Sequence, residues 1–290
     1  MASQAGTGDE LERRNRPARE AVLLRLYPAL CRDIEEGHRA MPLQLDAWQW
    51  ATLILGAFMI GLSKTGVVGL STFAVALFAL VLPARESAGV VLVILISADV
   101  VAVIAYRRHA IWSHLIRLFP WAALGVLLGF LAVGRISDRH VARLIGAILV
   151  VLVVLQWWRQ QQGRRNPEAQ HTPTSPWFAV SVGIIAGFTT MVANAAGPIM
   201  MLYMLAMRLP KMEFLGTAAW YFFVLNLFKV PFSYGLGLIN PVSLGIDLRL
   251  APVAMIGALS GRAIIRYVNQ SLFETLALLF TMLAALRLLW

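Results

Sequence analysis

The run SAGVVLVILISADVVAVIAY, from Ser87 to Tyr106, decides the fold class of this chain. Its twenty residues include one charged side chain, Asp99, and about 20 apolar residues in a helix cross the hydrocarbon core of a bilayer. Because lipid offers the backbone no hydrogen-bond partners, such a run is expected to be helical. Similar runs recur from Trp48 to the C-terminus, so the sequence predicts an all-α polytopic membrane protein.

The composition agrees with a protein surrounded by lipid. Of the 290 residues, 59% are hydrophobic and 14% are charged, whereas soluble proteins carry about 25% charged residues. The formal net charge is +10, but residues 1–40 contain seven acidic residues and seven arginines, so the excess lies in the membrane part. There it is typical of loops that set membrane orientation, not of nucleic-acid binding. The single cysteine, Cys31, excludes an intramolecular disulfide.

The apolar pattern predicts about ten helical segments, some of them short or broken. They lie near residues 48–62, 67–82, 87–106, 115–134, 140–158, 177–193, 197–209, 214–233, 249–265 and 272–289. The predicted regions are an N-terminal charged and amphipathic extension (1–46), a first membrane repeat (47–158), a polar linker (159–176) and a second membrane repeat (177–290).

The two membrane halves resemble each other in sequence. Leu-Pro-x-x-Glu-x-x-Gly occurs at 82–89 and again at 209–216, an offset of 127 residues. Two further blocks match in the same order: Asp99 with Asn226, and Pro-x4-Gly-x3-Gly beginning at Pro120 and at Pro252. Because each half has an odd number of segments, five, the second copy is expected to lie inverted in the membrane, as in many secondary transporters.

Basic residues predict the orientation of the segments. Arg107 and Arg108, and the arginines of the linker, are expected to face the cytoplasm. The stretch from Ser233 to Asp247 has no basic residue and is predicted to be an external loop. This scheme places the N-terminus outside.

Two of the three lysines, Lys64 and Lys229, lie inside apolar segments. A lysine at the bilayer centre costs at least about 2.5–3.5 kcal/mol on insertion scales, so such a residue is expected to have a function. Lys229 shares a helix face with Asn226, three residues earlier. The alternative for Lys229 is that its side chain extends to the nearby membrane interface.

The segment GLSKTGVVG, residues 61–69, has three glycines in nine residues and is predicted to break a helix within the membrane. The helix that follows would present unpaired N–H groups and the positive end of its dipole to an anion. Ser63, Thr65 and Gly66 are predicted to contribute to this site, and Lys64 supplies a full charge. The alternative is that the small residues permit close helix packing.

The matching segment of the second half is GFTTMVANAAGP, residues 187–198. Thr189, Thr190, Asn194 and Gly197 are its predicted site residues, and the same packing alternative applies. Pro198 suits the first turn of a new helix, where a missing N–H costs nothing. Two breaks at matching positions predict a substrate site near the membrane midplane.

Three acidic residues are candidates for coupling or proton relay. Asp99 lies within a predicted span, and its alternative role is an ion pair with Lys64 or Lys229. Glu86 and Glu213 occupy matching positions at predicted helix starts, where complementing the helix dipole is the alternative.

The motifs at 61–69, 187–198, Phe214-x-Gly216-Thr217 and Asn226-x-x-Lys229-x-Pro231 together resemble the TauE/SafE (TSUP) family of sulfite and organosulfonate exporters. The resemblance covers about residues 48–290 and leaves the N-terminal extension outside. It implies a multi-pass transporter of the bacterial cytoplasmic membrane, with sulfite, sulfoacetate or a related organosulfonate as its substrate.

We therefore expect an alternating-access exporter of small sulfur-containing anions. Import of thiosulfate or another small organic anion is one alternative, and a membrane-embedded enzyme or assembly factor is another. No catalytic residue, metal site or cofactor is predicted, because the apolar segments lack a cluster of His, Cys and Asp. The expected partners are the anion and membrane lipid; nucleic acid is not expected, and a homodimer stays open.

Overall fold

The computed structural model describes residues 45–66, 70–82, 84–133 and 175–269, with isolated helical positions at 150–158 and 272–286. Within this part of the chain all regular secondary structure is helical, which confirms the all-α prediction. The longer helices are α1 (Ala47–Thr65), α2 (Leu70–Val81), α3 (Ala84–Tyr106), α4 (Trp112–Ala132), α5 (Pro176–Ala193), α6 (Ala196–Ala206), α7 (Lys211–Gly235) and α8 (Pro241–Ile264). The predicted N-terminal extension, almost all of the linker and most of the segments at 140–158 and 272–289 lie outside the described residues.

In the part of the chain that the structure describes, five stretches are long and apolar enough to cross a membrane. They are Glu86–His109, Trp112–Ala132, Pro176–Ala193, Lys211–Gly235 and Ser243–Tyr267. By contrast, α2 has 12 residues and α6 has 11, so at 1.5 Å per residue they cover roughly 16–18 Å, short of the hydrocarbon thickness. The chain is therefore a multi-pass membrane protein in which two short helices follow the ends of α1 and α5.

The loop predicted from Ser233 to Asp247 is too long, and its placement outside the membrane stays a prediction. Helix α7 continues to Gly235 and α8 begins at Pro241, which leaves a turn of five residues. Gly237 takes a positive φ of 71° in this turn, and Pro241 suits the first position of a helix. Asp247, the last residue of the predicted loop, is buried within α8.

Glycines bring pairs of helices into backbone contact. A Cβ atom on Gly61 of α1 would overlap the carbonyl oxygen of Ala254 in α8, and one on Gly187 of α5 would overlap that of Ala122 in α4. A Cβ on Gly66 would lie 2.7 Å from the carbonyl oxygen of Gly261. Such small residues allow membrane helices to pack closely. The packing alternative therefore describes Gly61, Gly66 and Gly187.

Candidate functional site

A cavity of about 40 Å³ lies where the breaks after α1 and α5 meet α3 and α7. This volume holds more than one water molecule. Its lining residues come from six of the described helices and the α5–α6 break: Ser63, Lys64, Ser71, Leu95, Thr190, Asn194, Ala196, Gly197, Leu215, Ala218, Ala219, Phe222 and Asn226. The cavity therefore brings together the two sequence breaks that were predicted to form one site.

Both short helices begin at the cavity. Ser71 is the second residue of α2, and Ala196 and Gly197 are the first two residues of α6. The first N–H groups of a helix have no partner within the helix, and its dipole is positive at this end. A Cβ on Gly197 would lie 3.4 Å from the Ser71 hydroxyl oxygen, so the two helix starts are close neighbours. This arrangement suits an anion.

The break between α5 and α6 depends on Asn194. This residue ends α5 in the left-handed region, with φ at 51° and ψ at 30°, a conformation that asparagine tolerates better than most residues. The Asn194 amide also donates a hydrogen bond of 3.2 Å to the carbonyl oxygen of Ala88 in α3. The same residue thus ends α5 and ties the break to a membrane-spanning helix.

Lys64, Asp99 and Asn226 form a connected polar chain. Lys64 Nζ lies 2.8 Å from Asp99 Oδ1, and Asn226 Nδ2 donates a hydrogen bond of 2.7 Å to Asp99 Oδ2. Asp99 is fully buried. The Lys64 ammonium also lies 4.3 Å from the centre of the Phe222 ring, a cation–π contact. The predicted ion pair of Asp99 is therefore with Lys64.

Lys229 lies behind the wall of the cavity. Its ammonium group donates to Asn194 Oδ1 at 2.6 Å and to Thr190 Oγ1 at 3.2 Å, and 1% of the residue is exposed. Asn194 and Thr190 line the cavity and Lys229 does not. The alternative that Lys229 reaches the membrane interface is wrong, because its ammonium group bonds inside the protein.

The cluster holds more basic than acidic side chains. It contains two lysines, Lys64 and Lys229, and one carboxyl group, that of Asp99. The two side chains that accept from Lys229 are neutral, so no carboxylate is paired with it among the described residues. The cavity therefore combines Lys64 with hydroxyl groups and two helix starts, and Lys229 lies behind them.

Several predicted site residues have structural roles instead. The Thr65 hydroxyl donates to the Ala258 carbonyl oxygen, and the Tyr106 hydroxyl donates to the Thr65 carbonyl oxygen at 2.7 Å. The Thr189 hydroxyl bonds within α5, to the Ala186 carbonyl oxygen at 3.1 Å. None of these groups lines the cavity.

The two matched glutamates begin their helices as predicted, with Glu86 in the first turn of α3 and Glu213 in the first turn of α7. Neither lines the cavity. One oxygen of Glu86, Oε2, is buried without a hydrogen-bond partner among the described residues. Their positions agree with the dipole alternative.

Sequence reasoning missed two of the lining residues that matter for chemistry. Ser71 follows the last glycine of the first break, and a hydroxyl group at a helix start could have signalled it. Phe222 precedes Asn226 by four residues and therefore shares its helix face, but an aromatic residue in an apolar helix carries no signal of its own. Among the described residues, no group of three or more His, Cys, Asp or Glu side chains is placed to hold a metal ion.

The family model described as Sulfite exporter TauE/SafE matches residues 53–288. No curated protein and no solved structure matches the chain. The matched range contains every residue of the cavity described above.

Proposed function

The chain belongs to the TauE/SafE sulfite exporter family, and from this membership and the cavity we propose that it exports small sulfur-containing anions across the bacterial cytoplasmic membrane. The substrates are sulfite, sulfoacetate or a related organosulfonate. The observation that carries the proposal is the cavity at which two helix starts meet, with Lys64 in its lining and Lys229 behind Thr190 and Asn194. An oxyanion needs such donors and positive charge in a site with little water.

Export proceeds by alternating access between two inverted repeats. The matched helices α3 and α7 run in opposite directions, because the start of each lies against the end of the other. Gly89 near the start of α3 packs against Leu238, just after α7, and Gly216 near the start of α7 packs against Tyr106, at the end of α3. Opposite directions for matched helices are what an inverted repeat requires.

The packing of the other helices supports the same symmetry. Gly61 packs on Ala254 and Gly257 on Phe58, between α1 and α8. The equivalent contacts between α5 and α4 are Gly187 on Ala122 and Gly125 on Ile184. Residues of α1 match residues of α5 at an offset of 126, and residues of α4 match residues of α8 at an offset of 132. A two-fold rotation that exchanges the two halves of the chain therefore turns the α1–α8 contact into the α5–α4 contact.

The two-fold axis that relates the two proposed repeats passes beside the ion pair of Lys64 and Asp99. Asp99 and Asn226 are matched at an offset of 127, and they hydrogen-bond to each other. Matched residues meet only near the axis that relates them. Asp99 thus lies between the two repeats, where a movement of one against the other changes its contacts. We therefore assign Asp99 the coupling role among the three acidic candidates.

The membrane potential favours the outward direction. With a negative cell interior, each negative charge moved outward gains about 2.3 kcal/mol per 100 mV. The cavity holds the anion between the starts of α2 and α6, with Lys64 at its side and Lys229 behind Thr190 and Asn194. Movement of the two repeats against each other then exposes the anion to the other face of the membrane.

The test is anion counterflow into liposomes that contain the purified protein, with sulfite and sulfoacetate as substrates. We expect Lys64→Met and Lys229→Met to abolish counterflow, while Lys211→Met retains it. Lys211 is a suitable control because it bonds to carbonyl oxygens of Ile265 and Val268 outside the cavity. Wild-type rates in the Lys64 and Lys229 variants would remove the cavity from the transport path.

Import of thiosulfate or another small organic anion uses the same cavity and is the second candidate. Oriented liposomes with a potential of either sign separate the two directions. The TauE/SafE family is a family of transporters, which disfavours the alternative that the protein is a membrane-embedded enzyme.

A further inference from the structure

Asp247 is a buried carboxyl group that the proposed transport cavity does not use. It is the seventh residue of α8, within the membrane-crossing stretch Ser243–Tyr267. It is 1% exposed, and both carboxyl oxygens are buried without a hydrogen-bond partner among the described residues. Leu250 and Ala254, further along the same helix, are buried as well.

Charged and titratable groups on the neighbouring helices do not neutralise Asp247. Helix α8 packs against α1 and α3. The titratable residues of these three helices, besides Asp247, are Lys64, Arg85, Glu86, Asp99, Tyr106, Arg249 and Arg262. Lys64 pairs with Asp99, and the exposed Arg249 guanidinium lies 5.5 Å from the centre of the Trp50 ring. Among the residues whose side chains are described, none forms an ion pair or a hydrogen bond with Asp247.

The nearest polar side chain on the same helix is also engaged. Ser243 lies one turn before Asp247, and its hydroxyl donates to the Asn240 carbonyl oxygen at 2.9 Å. It also accepts from the Asn240 N–H at 3.1 Å. A carboxylate without partners in a membrane interior costs several kcal/mol. The neutral, protonated acid is the form that this packing accommodates.

Asp247 is separate from the anion cavity. Ala258 of α8 accepts the Thr65 hydroxyl, next to Lys64, and it lies eleven residues beyond Asp247. At 1.5 Å per residue, Asp247 is about 16 Å from that level along the helix. One small anion cannot contact both places, so Asp247 is a second site nearer the membrane face at which α8 begins.

The α1–α8 seam lies between these two places on α8. We define it as the backbone contacts of Gly61, Gly66, Gly257 and Gly261, which begin at Ala254, seven residues beyond Asp247. We propose that Asp247 is a proton-binding site outside the anion cavity, and that loss of its proton moves the first turns of α8 away from the helices around it and so opens the α1–α8 seam. The protonated acid stays in the closed packing, whereas the carboxylate must reach water. The released proton passes to that water, and closing takes one up again.

The proton-binding part of this proposal does not depend on the transport function, whereas its role in transport rests on it. Because α1 carries Lys64, a movement of α8 against α1 alters the wall of the cavity. Opening of the seam therefore links the proton on Asp247 to the access of the anion.

Infrared difference spectroscopy of the purified protein tests the proton. Near neutral pH, we expect the wild type to show the carbonyl stretch of a neutral carboxyl group, and we expect Asp247→Asn to lack this band. Asp46→Asn is the control, because Asp46 is exposed at the start of α1, and its loss should leave that band unchanged. If Asp247→Asn removes only carboxylate bands, Asp247 is ionised and the proposal is overturned.

Amide hydrogen exchange tests the opening without any substrate. Because Asn cannot lose a proton, Asp247→Asn should stay closed, so amides in the first half of α8 should exchange about tenfold faster in the wild type at alkaline pH. The two proteins should exchange equally at acid pH, and Asp247→Glu should restore the difference. Equal exchange at every pH overturns the opening step.

Counterflow then tests the link to transport. The wild-type rate should rise with pH, and Asp247→Asn should be slow at all pH values while anions still stabilise it. A pH-dependent rate in Asp247→Asn overturns the link. Failure of the proposed function gives a different result: the wild type carries no sulfur anion, while the infrared and exchange differences remain.

Discussion

Asp99→Asn should make the cavity bind anions more tightly. The substitution keeps the shape of the side chain and its hydrogen bond from Asn226, but it removes the negative charge 2.8 Å from Lys64 Nζ. The cluster at the cavity then has two lysines and no carboxyl group. An anion on the cavity side of Lys64 would lie roughly 5–6 Å from the Asp99 carboxylate, so at an effective dielectric constant of about 20 the repulsion removed is about 3 kcal/mol.

This energy corresponds to on the order of a 100-fold gain in anion affinity. Without an anion, Lys64 lacks its counter-charge, and breaking a buried pair costs about 3–5 kcal/mol. Thermal unfolding in detergent should therefore show two changes. The melting temperature of the anion-free variant falls, and saturating sulfite or sulfoacetate raises it by more than in the wild type.

Asp46→Asn is the matched control, because it removes an exposed carboxylate at the start of α1. Its anion affinity should equal that of the wild type. Tighter binding also slows release, so counterflow by Asp99→Asn should be slower than in the wild type. Unchanged or weaker anion affinity in Asp99→Asn would refute the reasoning that the Asp99 carboxylate competes with the substrate for Lys64.

Three further substitutions separate binding from packing. Lys229→Met should abolish the anion-dependent rise in melting temperature while the helical circular dichroism stays that of the wild type. A preserved rise would show that Lys229, behind Asn194, does not contribute to anion binding in the cavity. Gly197→Val should weaken anion binding about tenfold with little loss of stability, because its side chain enters the cavity near Ser71; unchanged affinity would place the anion elsewhere. Gly61→Leu should lower the melting temperature strongly, because its Cβ overlaps the Ala254 backbone. Gly245→Ala is the control and should leave the melting temperature unchanged, because its Cβ meets nothing within 4 Å. A wild-type melting temperature in Gly61→Leu would contradict the close approach of α1 and α8.

The sequence was informative where membrane physics leaves few choices. An apolar run such as 87–106 has to be a helix, and the lysines at 64 and 229 need partners, so both the fold class and the polar cluster could be predicted. The two breaks could be predicted as well, from the glycines of the first and from Pro198, which suits the first turn of the helix after the second. The residue that ends α5, Asn194, was predicted as a site residue and not as the end of the helix.

Other features needed the structure. Composition cannot tell a glycine that lines a cavity, such as Gly197, from one that packs on a helix, such as Gly66, because both are small. Which partner a buried charge selects depends on distances between helices, so Asp99 remained open between two lysines. Asp247 was placed in a loop because the stretch from Ser233 to Asp247 has no basic residue, and that pattern does not show where a helix begins.

The α1–α8 contact also bears on how the chain is inserted into the membrane. The glycine face of α1 is made early in synthesis, but its partner α8 is made after nearly two hundred further residues. During that interval the face meets lipid or the translocation machinery instead of its partner helix. The contact of α4 with α5 forms much earlier. During biogenesis α1 is therefore packed late, by a helix made long after it, and a chain truncated before Pro241 should be a target for membrane quality control.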